Sequence, residues 1–388
     1  MYHLRRLSAL VLSLAIAPLL FLPTPAAAAN EDSMPLVLSS ASALLMEKET
    51  GTVLLQQNAH QKLEPASVTK IMTLLLVMEA VDSGRLSLDE LVPVSAHAAG
   101  MGGSQVYLKE GEQLSVSDLI KCVAVVSGND CAVALAERLA GSESAFVDQM
   151  NQKAQSLGMA DTHFVNCTGL PAPGHLTSAW DIALMSRELI LRHPDIQQYT
   201  TIWTDSIRNG AFGLTNTNRL VRFYDGATGL KTGFTASAQY CMSATAQRNG
   251  MELIAVVMKA PTTAQRFQDA SSLLDYGFAN YALITPQPES PLAPVDVLLG
   301  RSKTVQPQLQ RECHLLVEKT QADQVTTRVD LAQDVQAPVD PGQTLGEFQV
   351  YVGNELRDSV PIVAAQGVDR LSVPGLFSQL LRRLRFGG

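Results

Sequence analysis

A chain of 388 residues is too long for one ordinary core and suits two domains with tails. With 46% apolar and 17% charged residues it is globular, not disordered. Its formal net charge of −8 argues against a nucleic-acid partner, which needs a basic face to displace counterions.

Arg5 and Arg6 precede an apolar run over residues 7–22, followed by Pro23, Pro25 and alanines at 26–29. That order predicts a secretory signal peptide over residues 1–29, cut near Ala29. The alternative is an uncleaved membrane anchor, for which the run is short. A cleaved signal places the protein outside the cytoplasm. The five cysteines (Cys122, Cys131, Cys167, Cys241, Cys313) are odd in number and contain no C-x-x-C pair. Cys122 and Cys131 sit in apolar runs, so buried thiols are expected, with a Cys122–Cys131 bridge as the alternative. No H-E-x-x-H occurs among the seven histidines. His163 and Cys167 are four apart, but nearby Pro, Gly and Asn argue against a helix presenting both, so no metal site is expected.

Strand-like runs at 41–47 and 52–56 flank Lys48-Glu49-Thr50-Gly51, a hairpin pattern. Pro65 then opens a helical stretch to about Ser83. Residues 117–157 are helical again, broken at Ser127-Gly128 and Gly141-Ser142. Ser178 begins a further helix, where Ser-Ala-Trp-Asp resembles a capping box. Residues 240–246 and 252–259 predict buried antiparallel strands, and 262–281 a helix. Strands from both ends of this region and helices from its middle give an α+β layering over residues 30–284. Pro286, Pro288, Pro291 and Pro294 mark a linker at 285–294. Short β-prone runs separated by turns then predict a small all-β domain at 295–365 with no catalytic grouping. In the tail, 370–388, Leu376, Phe377, Leu380, Leu381 and Leu384 recur at helical spacing beside Arg382, Arg383 and Arg385. Such a helix is too short to span a bilayer but can lie on an anionic membrane surface. Docking on its own protein is the alternative.

Three short motifs carry chemistry. In Ser67-Val68-Thr69-Lys70, residues three apart share one helix face, so the serine hydroxyl and the lysine amine can meet. The amine acts as a base only if its pKa is lowered. In Ser127-Gly128-Asn129 the hydroxyl can relay a proton, and the amide can hold Lys70 or a substrate carbonyl. Lys231-Thr232-Gly233 lies just before a buried strand and after Gly229, so it can form a sheet edge beside the site, where Lys231 and Thr232 suit a carboxylate while Gly233 lets a substrate backbone approach. Singly, each has an ordinary reading: a solvated helix face, caps at a helix break, a strand end. Together, in this order and these settings, they point to one acyl-transfer site.

From about Leu38 to Tyr281 the chain resembles the low-molecular-mass penicillin-binding proteins of the D-alanyl-D-alanine carboxypeptidase family. The likeness rests on residues 65–70, residues 127–130, Asn166 with Gly169-Leu170, and Asp225-Gly226 through residues 228–233. It implies a penicillin-binding or β-lactamase-like fold followed by a small β domain and a terminal amphipathic helix. It also implies Ser67 as acylated nucleophile, Lys70 as proton acceptor, Ser127 as proton relay and Asn129 as a positioning residue. Lys231 and Thr232 would bind the substrate carboxylate. Arg266 stands where relatives often carry a second carboxylate-binding arginine; its alternative is a surface arginine at a helix start. The N–H groups of Ser67 and Phe234 would form the oxyanion hole, with Phe234 replacing a histidine frequent in relatives. No cofactor is implied. The partners implied are peptidoglycan stem peptides, with β-lactam antibiotics as inhibitors. A DD-endopeptidase is the nearest alternative in activity. A β-lactamase of class A would need a glutamate that residues 161–181 lack, and a non-catalytic wall-binding module would not need every reactive position filled. No G-x-S-x-G occurs, which excludes an α/β-hydrolase elbow.

Overall fold

The computed structural model describes residues 36–372 together with 374 and 375. The expected signal peptide, and the leucines and arginines of the expected amphipathic tail, lie outside the described residues. In chain order, β1 (Ser42–Glu47) and β2 (Val53–Gln57) form a hairpin, and a 3-10 turn (Ala66–Thr69) runs into α1 (Lys70–Asp82). The short pair β3 (Leu91–Pro93) and β4 (Gln113–Ser115) flanks α2 (Ala96–Ala99). Next come α3 (Val116–Val125), α4 (Asn129–Ala140) and α5 (Glu143–Ser156). A long loop over 157–178 leads to α6 (Ala179–Arg192) and α7 (Gln197–Thr200). The hairpin of β5 (Thr204–Ile207) and β6 (Phe212–Thr215), which the sequence reading did not anticipate, precedes α8 (Leu220–Phe223). Strands β7 (Ala227–Thr235), β8 (Gln239–Arg248) and β9 (Met251–Ala260) then lead into α9 (Thr263–Asn280).

These strands make one antiparallel sheet in the order β2-β1-β9-β8-β7. Its central strand β9 is buried on both faces, which explains its continuous apolar run. Ile254, Val256 and Met258 enter the core under the helices, whereas Leu253, Ala255 and Val257 enter a second core against α9. The period of two divides one strand between two cores. Helix α1 is buried from Lys70 through Met78, as expected of a helix that is apolar on every side. Lys70 is the one charged residue in that run.

Local chemistry explains the starts of four of the longer helices. Ser115, Ser142, Ser178 and Thr262 cap α3, α5, α6 and α9 by accepting a backbone N–H three residues on. The expected box at Ser178 is half a box. Asp181 donates its N–H to Ser178, but its carboxylate accepts from the Asp161 N–H and the Thr162 hydroxyl, tying down the long loop instead. The helix expected from Pro65 likewise begins as a separate 3-10 turn, because Ala66 adopts φ +48° and α-helical geometry starts only at Lys70.

After α9, β10 (Tyr281–Ile284) pairs antiparallel with a strand beyond the proline-rich stretch. The following elements are β11 (Val295–Leu298), β12 (Thr304–Val305), β13 (Pro307–Leu309), β14 (Leu315–Glu318), β15 (Val325–Leu331), β16 (Asp334–Gln336), β17 (Thr344–Val352) and β18 (Glu355–Ala364). They form sheets in the orders β12-β11-β16, β13-β18-β17-β15 and β10-β14. Two small apolar cores lie here, one around Val295, Val305 and Val368, the other around Phe348, Val350 and Val360. No described helix is long and apolar enough to cross a membrane.

All five cysteines are free and buried, so Cys122 and Cys131 form no bridge. Ellman titration without reductant should therefore find almost no reactive thiol in the native protein and five after unfolding. Three after unfolding would mean that a disulfide forms.

Candidate functional site

The tight turn at Ala66–Thr69 places Ser67 and Lys70 on one face, since residues three apart nearly eclipse in a 3-10 turn. Lys70 Nζ lies 3.0 Å from Ser67 Oγ, 2.6 Å from Asn129 Oδ1 and 2.7 Å from the Thr168 carbonyl. Asn129 donates its amide Nδ2–H to the Gly102 carbonyl and its backbone N–H to the Ser104 carbonyl. Its oxygen is thereby turned to the lysine. Asn129 Oδ1 and Thr168 O can only accept. A neutral amine gives its two hydrogens to them, which leaves its lone pair facing the serine hydroxyl.

Burial supplies the neutral amine. Lys70 is fully enclosed, and desolvation lowers its pKa from 10.5 to about 7, outweighing the opposing influence of Cys167, Asp130 and Cys131. Lys231, in the same site, is also pushed down, chiefly by burial and then by Lys70 and Arg266. Its Nζ donates to the Thr232 carbonyl at 2.9 Å.

Ser127 stands in the break between α3 and α4 with φ +63°, a conformation that costs a non-glycine residue about 1–3 kcal/mol. Its hydroxyl is buried and has no partner among the described residues. A buried hydroxyl without a bond is costly unless something binds there.

Strand β7 forms the other wall and is the edge of the sheet, as expected for Lys231-Thr232-Gly233, although all three lie within the strand and not before it. A Cβ on Gly233 would fall 2.9 Å from the Pro65 carbonyl and 3.0 Å from the Ser67 and Val68 nitrogens. Only glycine lets this edge meet the serine turn. Thr232 Oγ1 donates to Thr217 Oγ1 at 2.7 Å. Arg266 is 6% exposed, which removes the surface-arginine alternative. It donates to the Gly233 carbonyl at 3.2 Å, lies over the rings of Tyr240 and Phe267, and keeps a buried, unpartnered Nε. Burial lowers its pKa to about 10. Phe234 is 54% exposed, with its ring 4.5 Å from that of Tyr240.

The structure thus brings Ser67, Lys70, Ser127, Asn129, Lys231, Thr232 and Gly233 together, with Phe234 and Arg266 at the adjoining strand end. Sequence reasoning missed Thr168, whose contribution is a backbone carbonyl, and Thr217, which only its bond to Thr232 reveals. It also missed Arg219, an exposed cation close enough to Arg266 to lower its pKa. Among the described residues, no three His, Cys, Asp or Glu side chains converge on a metal position.

A serine facing a desolvated lysine, a buried unpartnered hydroxyl and a cationic strand edge suit a serine acyl-enzyme site. Residues 28–262 match the family model described as D-alanyl-D-alanine carboxypeptidase, and 287–370 that of the penicillin-binding protein 5 C-terminal domain. The chain is 37% identical to D-alanyl-D-alanine carboxypeptidase DacF of Bacillus subtilis, over 93% of this chain and 95% of that protein. It is 33% identical to DacC of Escherichia coli, over 90% and 89%. Penicillin-binding protein 5 of Haemophilus influenzae superposes with a TM-score of 0.73 at 29% identity, covering 87% of this chain and all of that one. Penicillin-binding protein D2 of Listeria monocytogenes, in its ampicillin-bound form, gives 0.58 at 37% identity, over 63% of this chain and 99% of its own. The chain belongs to the D-alanyl-D-alanine carboxypeptidase family.

Because the base must be neutral, acylation should speed up as pH rises through about 7 and fall about tenfold per unit below it. Stopped-flow acylation by a fluorescent penicillin checks this. Lys70→Ala should lower the rate by about 10²–10⁴-fold with the fold intact.

Proposed function

We propose that this serine-type D-Ala-D-Ala carboxypeptidase removes the terminal D-alanine of peptidoglycan stem pentapeptides through an acyl-enzyme on Ser67. The observation that carries the reading is the lone pair of a fully buried Lys70 directed at Ser67 Oγ, with Asn129 and Thr168 occupying its two hydrogens. Lys70 takes the hydroxyl proton as Oγ attacks the carbonyl between the two D-alanines. The N–H groups of Ser67 and Phe234 hold the oxyanion, which the close approach of Gly233 to the Ser67 nitrogen supports. The C–N bond breaks, and the proton reaches the leaving amine through Ser127, whose buried hydroxyl has no partner among the described residues and stands two residues before Asn129. Lys231, Thr232 and Arg266 hold the carboxylate of the departing D-alanine, with Arg219 adding positive charge. Asn129 fixes Lys70 and the acyl chain. Water then hydrolyses the ester. Penicillin, whose amide mimics the dipeptide, acylates Ser67 and leaves slowly. Residues 161–181 hold no glutamate to activate water as class A β-lactamases do.

The reading extends to location. The basic, apolar and alanine-rich order of residues 1–29 supports export, and the leucines and arginines of the tail support reversible attachment to an anionic membrane face. The working place is then the outer face of the cytoplasmic membrane.

Purified protein incubated with a pentapeptide ending in D-Ala-D-Ala should release one D-alanine per peptide, seen as the mass of the tetrapeptide. Ser67→Ala should abolish both this product and the covalent penicillin adduct; an adduct in that variant would sink the assignment. Deletion from Gly375 onward should release the protein from membranes and leave peptide hydrolysis unchanged. If the truncated protein still sediments with membranes, the tail is not the anchor.

A further inference from the structure

The loop over 157–178 supplies the Thr168 carbonyl that receives a Lys70 hydrogen, and one buried side chain fixes that loop on the serine turn. His175 is 2% exposed and packs edge-on against Phe164, with 5.8 Å between ring centroids. Its Nδ1 lies 3.0 Å from the backbone nitrogen of Val165. A backbone N–H only donates, so Nδ1 accepts and Nε2 carries the hydrogen of the neutral ring. Nε2 donates to Thr69 Oγ1 at 2.8 Å. Thr69 immediately precedes Lys70. The imidazole therefore bridges the loop to the turn that presents both serine and lysine. Burial, with His163 adding to it, lowers its pKa to about 4, which keeps the ring uncharged at neutral pH.

Other ties act on the same loop. The Thr73 hydroxyl donates to the Cys167 carbonyl at 2.7 Å, and Asn166 Oδ1 accepts from the Thr168 and Gly169 N–H groups. Gly169 lies so close that a Cβ would fall 1.8 Å from the Ala66 carbonyl. The loop is a lid over Lys70, and the histidine is its only side-chain link to Thr69 among the described residues.

We propose that His175 is a positioning residue for Lys70: its two hydrogen bonds hold the loop on the serine turn, keeping the Thr168 carbonyl on Nζ and water away from the amine. The proposal rests on the reading of Lys70 as base. The titratable groups around Lys70 are Lys231 from β7, Asp130 and Cys131 from α4, and Cys167 from the loop; His163 faces His175. Replacing a neutral imidazole changes none of these charges. A moved Lys70 titration then reports the entry of water.

The test is the rate of penicillin acylation against pH for the wild type, His175→Asn, His175→Gln and Thr69→Val. Asparagine sets an amide oxygen where Nδ1 accepted and loses the Thr69 bond. Glutamine sets an amide nitrogen where Nε2 donated and loses the Val165 bond. Thr69→Val removes one hydroxyl and is the variant least able to disturb the fold. Circular dichroism establishes which variants are folded. Each folded variant should move the midpoint upward from about 7 by about one unit or more, with acylation at pH 7 down about tenfold and recovered in more alkaline buffer. Folded variants whose midpoint stays at the wild-type value, whatever their rate, overturn the proposal. A wild type that penicillin does not acylate overturns instead the assignment of Ser67 and Lys70.

Discussion

The site depends on one enclosed amine. A lysine in water is charged at neutral pH and has no lone pair to offer a serine. Here the fall from 10.5 to about 7 corresponds to about 5 kcal/mol against the charged form, an order of magnitude that burial alone can supply. No single element could enclose it. The turn before α1 brings Lys70, the start of α4 brings Asn129, the loop over 157–178 brings Thr168, and β7 closes the remaining side. The Coulombic influence of Asp130 and the neighbouring thiols acts in the opposite sense and loses to desolvation.

Much of the surrounding structure serves to hold these parts in close contact. Ala66 and Ser127 both take positive φ, a conformation that persists in such residues only where the packing around them over-determines it. Ala66 is wedged under Gly169 of the loop, and Gly233 lies against the turn from the opposite side. Asp130 accepts from the Val106 and Leu108 N–H groups and so fixes the 101–108 segment whose Gly102 and Ser104 carbonyls orient Asn129. A chain of backbone anchors therefore runs from a buried carboxylate to the amide that holds the base.

The cationic end of the site is arranged by different means. Lys231 and Arg266 are buried cations, each penalised by the loss of water and by nearby positive charge. Neither has an anionic partner among the described residues. An incoming carboxylate would relieve that charge at once. The same end carries the exposed Phe234 against Tyr240, an apolar surface beside a cationic one. None of the site residues named above comes from the C-terminal sheets. They are joined through β10 pairing with β14 and through Lys319, which donates to the Phe278 carbonyl.

By itself the sequence determined the parts whose signal is local. The order of S-x-x-K, S-x-N and K-T-G, the continuous apolar run of β9 and the cap at Ser178 all follow from residue type and spacing. Family likeness added the roles. What only the tertiary structure decided concerns contacts between segments distant in the chain. Thr168 contributes a carbonyl, which every residue has, so no side chain marks it. Arg266 looked equally suited to a surface until α9 packed it beneath Tyr240. Asp181 completed a capping box by pattern, yet its carboxylate was drawn to the loop at 161–162. Cys122 and Cys131 meet in the core without forming a disulfide. The proposed base is the clearest case: Lys70 is legible as a residue, but its lone pair exists at neutral pH only because segments up to about 160 residues apart fold over it and exclude water.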